Sequence, residues 1–167
     1  NLGVKQIITF DVHNKDACDN AVSPYTTFES PYPTYSILNK FIDTEEIDFH
    51  NLLIVSPDTG AVDRARYYAD MLKTDIGIFH KRRDFSKIVN GKNPIVAHEY
   101  LGKEVTDKNV LIVDDMIASG QSIIEVAEDL KQRGAKKIYL IASFEAPGSS
   151  PPCPGSITTF LAINILL

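Results

Sequence analysis

Residues 110–122 read VLIVDDMIASGQS, and this stretch constrains the fold more than any other. Val110 to Val113 form an unbroken apolar run, suited to a parallel strand buried on both faces. Two adjacent carboxylates, Asp114 and Asp115, stand at its C-terminal end. A turn of small and hydroxyl residues follows (Ala118, Ser119, Gly120, Ser122), and then an amphipathic helix begins. In open α/β sheets, ligands bind beyond the carboxyl ends of the strands. A small-residue loop feeding a helix N-terminus offers free N–H groups and the positive end of a dipole, which suits a phosphate. The two carboxylates would repel that phosphate. They suit vicinal hydroxyls, which need acceptors, or a bound magnesium ion. A phosphate cradle beside a diol acceptor describes a ribose 5-phosphate pocket. Acids at a strand end followed by Gly and Ser are also ordinary punctuation in α/β proteins, so the stretch needs support from other segments.

The rest of the chain repeats the strand–helix alternation. VKQIITF (4–10) reads as a strand ending at Asp11, and a Pro-rich loop runs from Ser23 to Pro33. Residues 34–42 suit a short helix. NLLIVS (51–56) reads as a second strand, ended by Pro57. From Gly60 to Lys73, Ala61, Ala65, Tyr68, Ala69 and Leu72 recur at a helical period. DIGIF (75–79) reads as a third strand, and a polar segment is expected from Lys81 to about Lys108. NVLIVDD is the fourth strand. Ser119 to Arg133 is the next helix, with Ile123, Ile124, Val126, Ala127 and Leu130 as its stripe and Gly134 as its C-cap. KKIYLIASF (136–144) is the fifth strand. This alternation predicts an α/β domain over residues 1–145, a parallel sheet flanked by helices. Residues 146–156 are too rich in Pro, Gly and Ser for regular structure, and 157–167 read as a last strand after this atypical linker.

Composition narrows the function classes. A chain of 167 residues is long enough for one domain with a sizeable core. A net charge of −5 argues against a general nucleic-acid binder. No apolar run approaches the ~18 residues of a membrane span, and no signal-peptide pattern is visible. Cys18 and Cys153 are far apart and lack metal-ligand spacing, so a reduced, cytoplasmic setting is expected.

Three other strand ends carry chemistry. Asp11-Val12-His13 puts a carboxylate and an imidazole on one side of an extended segment, where they could hold a divalent metal or orient a phosphate. A surface His near a strand end is the plainer alternative. Ser56-Pro57-Asp58-Thr59-Gly60 precedes Arg64 and Arg66; Asp58 either serves the site or caps the following helix. His80-Lys81-Arg82-Arg83 places three consecutive cations at the same sheet edge. Arg gives forked contacts to phosphate oxygens and Lys a mobile point charge, which suits a polyphosphate. A solvated basic run is the alternative. There is no GxxxxGK[ST] loop and no serine-elbow motif.

These motifs together resemble the ribose-phosphate diphosphokinases. VLIVDDMIASGQS is similar to that family's ribose-phosphate loop, NLLIVSPDTGAVDRARYYADML to its VSPDxGxxxRAxxxA segment, HKRRDF to its KRR catalytic loop and ITFDVH to its DLH metal-binding strand end. The four occur in the family's order, from about Ile7 to Phe144. The resemblance implies a type I phosphoribosyltransferase-like fold and transfer of the diphosphoryl group of ATP to ribose 5-phosphate. It implies Lys81 and Arg83 as catalytic, and Asp114 and Asp115 as binding the ribose hydroxyls. Ala118, Ser119, Gly120, Gln121 and Ser122 would hold the 5-phosphate, and His13 and Asp58 would bind Mg2+. It further implies a homo-oligomer, with no nucleic-acid or membrane partner. The match lies chiefly in the family's second domain, so the N-terminal domain is expected to be absent from these 167 residues and the isolated chain to turn over poorly. Ala118 and Gln121 depart from the Asp and Gly common in this family, but backbone donors survive both changes. The tail from Glu145 does not match the family's continuation. Two rival readings stand: a purine or pyrimidine phosphoribosyltransferase, and a non-catalytic regulatory or sugar-phosphate-binding subunit.

Overall fold

The computed structural model describes residues 3–22, 24–44, 47–83, 95–117, 120–145 and 161–165. Its framework is a six-stranded sheet in the order β5-β4-β3-β6-β7-β8. The strands are β3 (Leu52–Ser56), β4 (Asp75–Arg83), β5 (Ile95–Gly102), β6 (Asn109–Ile117), β7 (Lys137–Glu145) and β8 (Leu161–Ile165). The inner four run parallel, as the alternation predicts. Both edge strands run antiparallel to their neighbours, so the sheet is mixed rather than purely parallel.

Two-residue alternation sends successive side chains to opposite faces and sorts the core into two layers. Val110 and Ile112 join Leu53, Val55, Ile138 and Leu140 on one face, under Ile123, Val126, Ala127 and Leu130 of α4 (Gln121–Gln132). Leu111 and Val113 join Leu52, Ile54, Tyr139 and Ile141 on the other. That face is covered by Ile37, Leu38 and Phe41 of α2 (Thr34–Thr44) and by Ala65, Tyr68 and Ala69 of α3 (Val62–Leu72). Phe41 meets Tyr139 edge-on, with centroids 5.2 Å apart. The result is an α/β/α sandwich whose middle strands are apolar on both sides.

Helix α4 stops where Gly134 takes φ +87°, a conformation that costs other residues strain. The Gly134 N–H donates to the Lys131 carbonyl at 3.0 Å and the Ala135 N–H to that of Leu130 at 3.0 Å, which closes the helix with the expected glycine one position past its cap.

Three expectations are corrected. The first strand is only β1 (Gln6–Ile8); it pairs in parallel with β2 (Thr27–Glu29) in a separate two-stranded sheet. Its residues are all exposed, so its apolar content never enters the core. Helix α1 (Lys15–Ala21) links this pair and is capped by the Asn14 side chain. Second, the segment read as polar after Lys81 contains the end of β4 and all of β5. The ladder pairs Lys81 with His98, and its register shifts between Arg82 and Arg83. Flanking charges hide the short β-branched start of β5. Third, β6 extends through Ile117, so Asp114 and Asp115 lie within the strand. The expected last strand contains β8 (Leu161–Ile165); the rest of 157–167 and the 146–156 linker lie outside the described residues. Among the described residues, no helix is long and apolar enough to cross a membrane.

Candidate functional site

The loops after β1 and β3 and the ends of β4 and β6 surround one cavity of about 580 Å3. His13, Asp58, Gly60, Arg64, His80, Asp114 and Asp115 all line it. Three of the four strand ends singled out in the sequence therefore supply at least one side chain in view, and the fourth supplies His80, the neighbour of Lys81.

Asp115 follows Leu111 and Val113 by two-residue steps toward the α2/α3 face, and it is buried. Its Oδ2 lies 2.6 Å from His13 Nδ1. Burial works against its ionisation. The His13 hydrogen bond and the Arg64 charge outweigh that penalty, so its pKa falls below the usual carboxylate range. Asp114 behaves in the opposite way. Burial, then hydrogen bonding with Asp115, pushes it up to about 7. Its Oδ1 also accepts the Asp115 N–H at 2.9 Å. The two adjacent acids are thus driven in opposite directions, Asp115 toward the anion that only accepts hydrogen bonds and Asp114 toward the neutral acid that can also donate. That suits a diol, whose hydroxyls do both.

Asp58 serves two roles in the geometry. Its Oδ1 accepts the Gly60 N–H at 2.9 Å and the Ala61 N–H at 3.2 Å, and its carbonyl accepts from Ser56 Oγ at 2.6 Å. These bonds close the turn before α3 rather than cap the helix, whose N-cap is Ala61 without a side-chain bond, and Asp58 still lines the cavity. Gly120 precedes α4 with φ +75°, and open space surrounds it, so the backbone angle alone explains glycine there. Gln121 and Ser122, in the first turn of α4, are exposed. Ala118 and Ser119 lie outside the described residues. The backbone of Lys81 and Arg83 continues β4 beyond His80; their side chains lie outside what the structure describes.

Asp11 departs from its expected role. It does not share an extended face with His13. It takes φ +46°, which Asp tolerates better than most residues, and its carboxylate turns inward to only 2% exposure. Both oxygens are occupied. Arg64 Nε donates to them at 2.8 and 2.9 Å, Arg64 Nη2 donates to Oδ1 at 2.6 Å, and Ser143 Oγ donates to Oδ2. Asp11 is therefore an anchor, and only His13 of that pair reaches the cavity. Arg64 received no role from the sequence, although a signal was there. It falls at the fourth position of a buried stripe, Ala61, Arg64, Ala65, Tyr68, where an unpaired cation would be prohibitive.

The donor set suits magnesium in a particular way. Among the described residues, no three His, Cys, Asp or Glu side chains converge into a metal cage. Magnesium seldom uses such a cage; it keeps waters and takes one or two carboxylates together with substrate phosphates. Asp58 lines the cavity as one carboxylate of that kind, and His13 lines it with its Nδ1 against Asp115.

Comparisons with known proteins bear on the family and the fold. A family model described as Phosphoribosyl transferase domain matches residues 36–154. A ribose-phosphate pyrophosphokinase of Haemophilus influenzae is 35% identical over 144 residues, which is 85% of this chain and 42% of that protein. One of Pyrococcus abyssi is 33% identical over 138 residues, 83% of this chain and 44% of that protein. The chain thus spans less than half the length of these relatives. A phosphoribosylpyrophosphate synthetase from Mycobacterium smegmatis superposes with a TM-score of 0.65 at 21% identity, covering 88% of this chain and 44% of that structure.

Proposed function

The chain belongs to the phosphoribosyl transferase domain family, and from that premise we propose that it forms the sugar-phosphate and catalytic-loop part of a ribose-phosphate diphosphokinase. The reaction transfers the β,γ-diphosphoryl group of ATP to ribose 5-phosphate, giving 5-phosphoribosyl 1-pyrophosphate and AMP. The observation that carries this reading is the single cavity that gathers Asp114, Asp115, His13 and Asp58 with His80, next to Lys81 in the chain. An ordinary phosphoribosyl acceptor site needs the acid pair. It does not need a KRR run on the neighbouring strand together with an SPDTG turn.

In this reading Asp114 and Asp115 hold the ribose hydroxyls. Backbone N–H groups from Ala118 to Ser122, at the start of α4, hold the 5-phosphate. The sugar O1 attacks the β-phosphorus of ATP, the bond from that phosphorus to the α-phosphate oxygen breaks, and AMP leaves. Lys81 and Arg83 neutralise the charge on the transferred group, so catalysis is mostly positioning and electrostatics. His13 and Asp58 would hold Mg2+, which when bound offsets the negative charge of the triphosphate. The matched segment is less than half of each relative's length, and in this reading a cytoplasmic homo-oligomer draws part of its ATP site from residues outside this segment.

Calorimetric titration of the 167-residue chain tests the assignment. Ribose 5-phosphate should bind, MgATP should bind weakly, and AMP release should be slow. Asp115→Ala should weaken the sugar phosphate at least tenfold. No binding of ribose 5-phosphate would end this reading. Release of pyrophosphate from the activated sugar and a nucleobase would transfer the protein to the phosphoribosyltransferase reading.

A further inference from the structure

Arg64 lines the cavity beside the acid pair, Asp11 is buried against it, and neither has a part in the ligand binding assigned above. Arg64 is 7% exposed and Asp11 2%. The fork from Arg64 to Asp11 uses Nε and Nη2, and Ser143 of β7 takes a further lone pair of Asp11. The guanidinium is thereby held in one orientation by α3, the β1–α1 connection and β7 together. Tyr32 covers it, with the ring centroid 5.8 Å from Arg64 Cζ. In that orientation Nη1 lies 3.9 Å from Asp114 Oδ1, and Nη2 lies 3.9 Å from Asp115 Oδ2. Both separations are too long for hydrogen bonds and short enough for strong attraction where water is scarce.

We propose that Arg64 is a positioning residue: locked by Asp11, it holds the carboxylates of Asp114 and Asp115 in the arrangement that receives the sugar diol. The proposal rests on the reading above for what the acid pair binds. The same lock serves His13, two residues after Asp11, which is brought to Asp115. A purely structural pin would need only a satisfied pair of side chains at positions 11 and 64. A positioning cation needs its charge at that place.

The two are separated by the double variant Asp11→Asn/Arg64→Gln, which removes both buried charges and keeps hydrogen-bonding amides. Arg64→Lys keeps the charge and loses the fork. Each is made in the full chain, with folding checked by circular dichroism and thermal melting. The folded double variant should bind ribose 5-phosphate at least tenfold more weakly than the parent. In the ligand-free protein its Asp114 and Asp115 amide resonances should shift, while that of Gly134 stays in place. Arg64→Lys should recover part of the lost affinity. Unchanged affinity together with unchanged Asp114 and Asp115 resonances would overturn the proposal. If the parent itself fails to bind ribose 5-phosphate, the sugar reading falls, and the ligand-free resonances still decide the role of Arg64. If the double variant does not fold, Arg64→Lys decides by the same measurements, with intermediate affinity and shifted resonances expected.

Discussion

The two sides of the cavity are built on opposite plans. The β6 side is locked by charge: Asp115 meets His13, Arg64 stands behind both acids, and Asp11 with Ser143 fixes Arg64. The β4 side rests on a backbone ladder. His80 is exposed there, and the pairing with β5 slips between Arg82 and Arg83. The ladder is steadied away from the cavity, where Tyr100 lies across Gly77 and its Oη donates to the Lys103 carbonyl at 2.7 Å. An aromatic ring over a glycine on the neighbouring strand replaces packing that the glycine cannot supply. The contrast has a chemical sense. A diol is read by groups that must stand still before it arrives. Under the proposed function, a diphosphoryl group in transit would call for long cationic residues such as Lys81 and Arg83, on a strand whose pairing shifts register between Arg82 and Arg83.

Four changes would break or sharpen this contrast. The largest stability effect is expected from Asp11→Ala, which strands Arg64 as a buried, uncompensated cation. Denaturant unfolding should show a loss of about 3–5 kcal/mol. Lys81→Ala should do the reverse. In any form of the protein that turns over, it should slow AMP release by roughly 10²–10³-fold, with ribose 5-phosphate affinity and stability kept; near-normal turnover would remove Lys81 from the mechanism. The acid wall also predicts a pH signature. Asp114 has a folded pKa of about 7, above the ~3.9 of an unfolded chain. The folded state therefore retains a proton that the unfolded state releases. Stability from this group is complete below the unfolded value and is lost as pH rises toward 7. Thermal melts of Asp114→Asn should lack that decline, which amounts to a few kcal/mol at most. Tyr100→Ala should cost about 2 kcal/mol, since the ring is only half-buried, and should leave ribose 5-phosphate affinity unchanged. A loss of sugar affinity in that variant would show that the two walls are not independent.

The strands and helices that bury an apolar run were readable in sequence because burial imposes local periodicity. β3, β6, α3 and α4 each carry such a run, and the acid pair at the end of β6 was identified from its position on one of them. β5 was missed because it is a sheet edge whose sequence, IVAHEYLG, carries neither a long apolar run nor a clean alternation, and Leu101 is exposed there. The separation of β1 from the main sheet was missed for a different reason: apolar residues such as Ile8 stay exposed there. The Asp11–Arg64–Ser143 anchor had no local pattern at all. Its members lie 53 and 132 positions from Asp11, and chemistry at such separations appears only when the topology is known. The inward turn of Asp11 hid it further, since period-two reasoning assumes an extended backbone.

The long span of the Ser143–Asp11 bond bears on how the molecule matures. During synthesis the segment carrying Asp11 emerges first, and its partner on β7 follows 132 residues later. Helices such as α3 and α4 need only neighbours in sequence and can form quickly, whereas a contact across so wide a loop waits for the sheet to be built. A chain stopped before β7 has its early strands and helices but lacks the brace behind the ribose-facing acids. Under the proposed function, affinity for the sugar is thus acquired only once β7 is in place, and a measurement of it doubles as a report that the domain has folded.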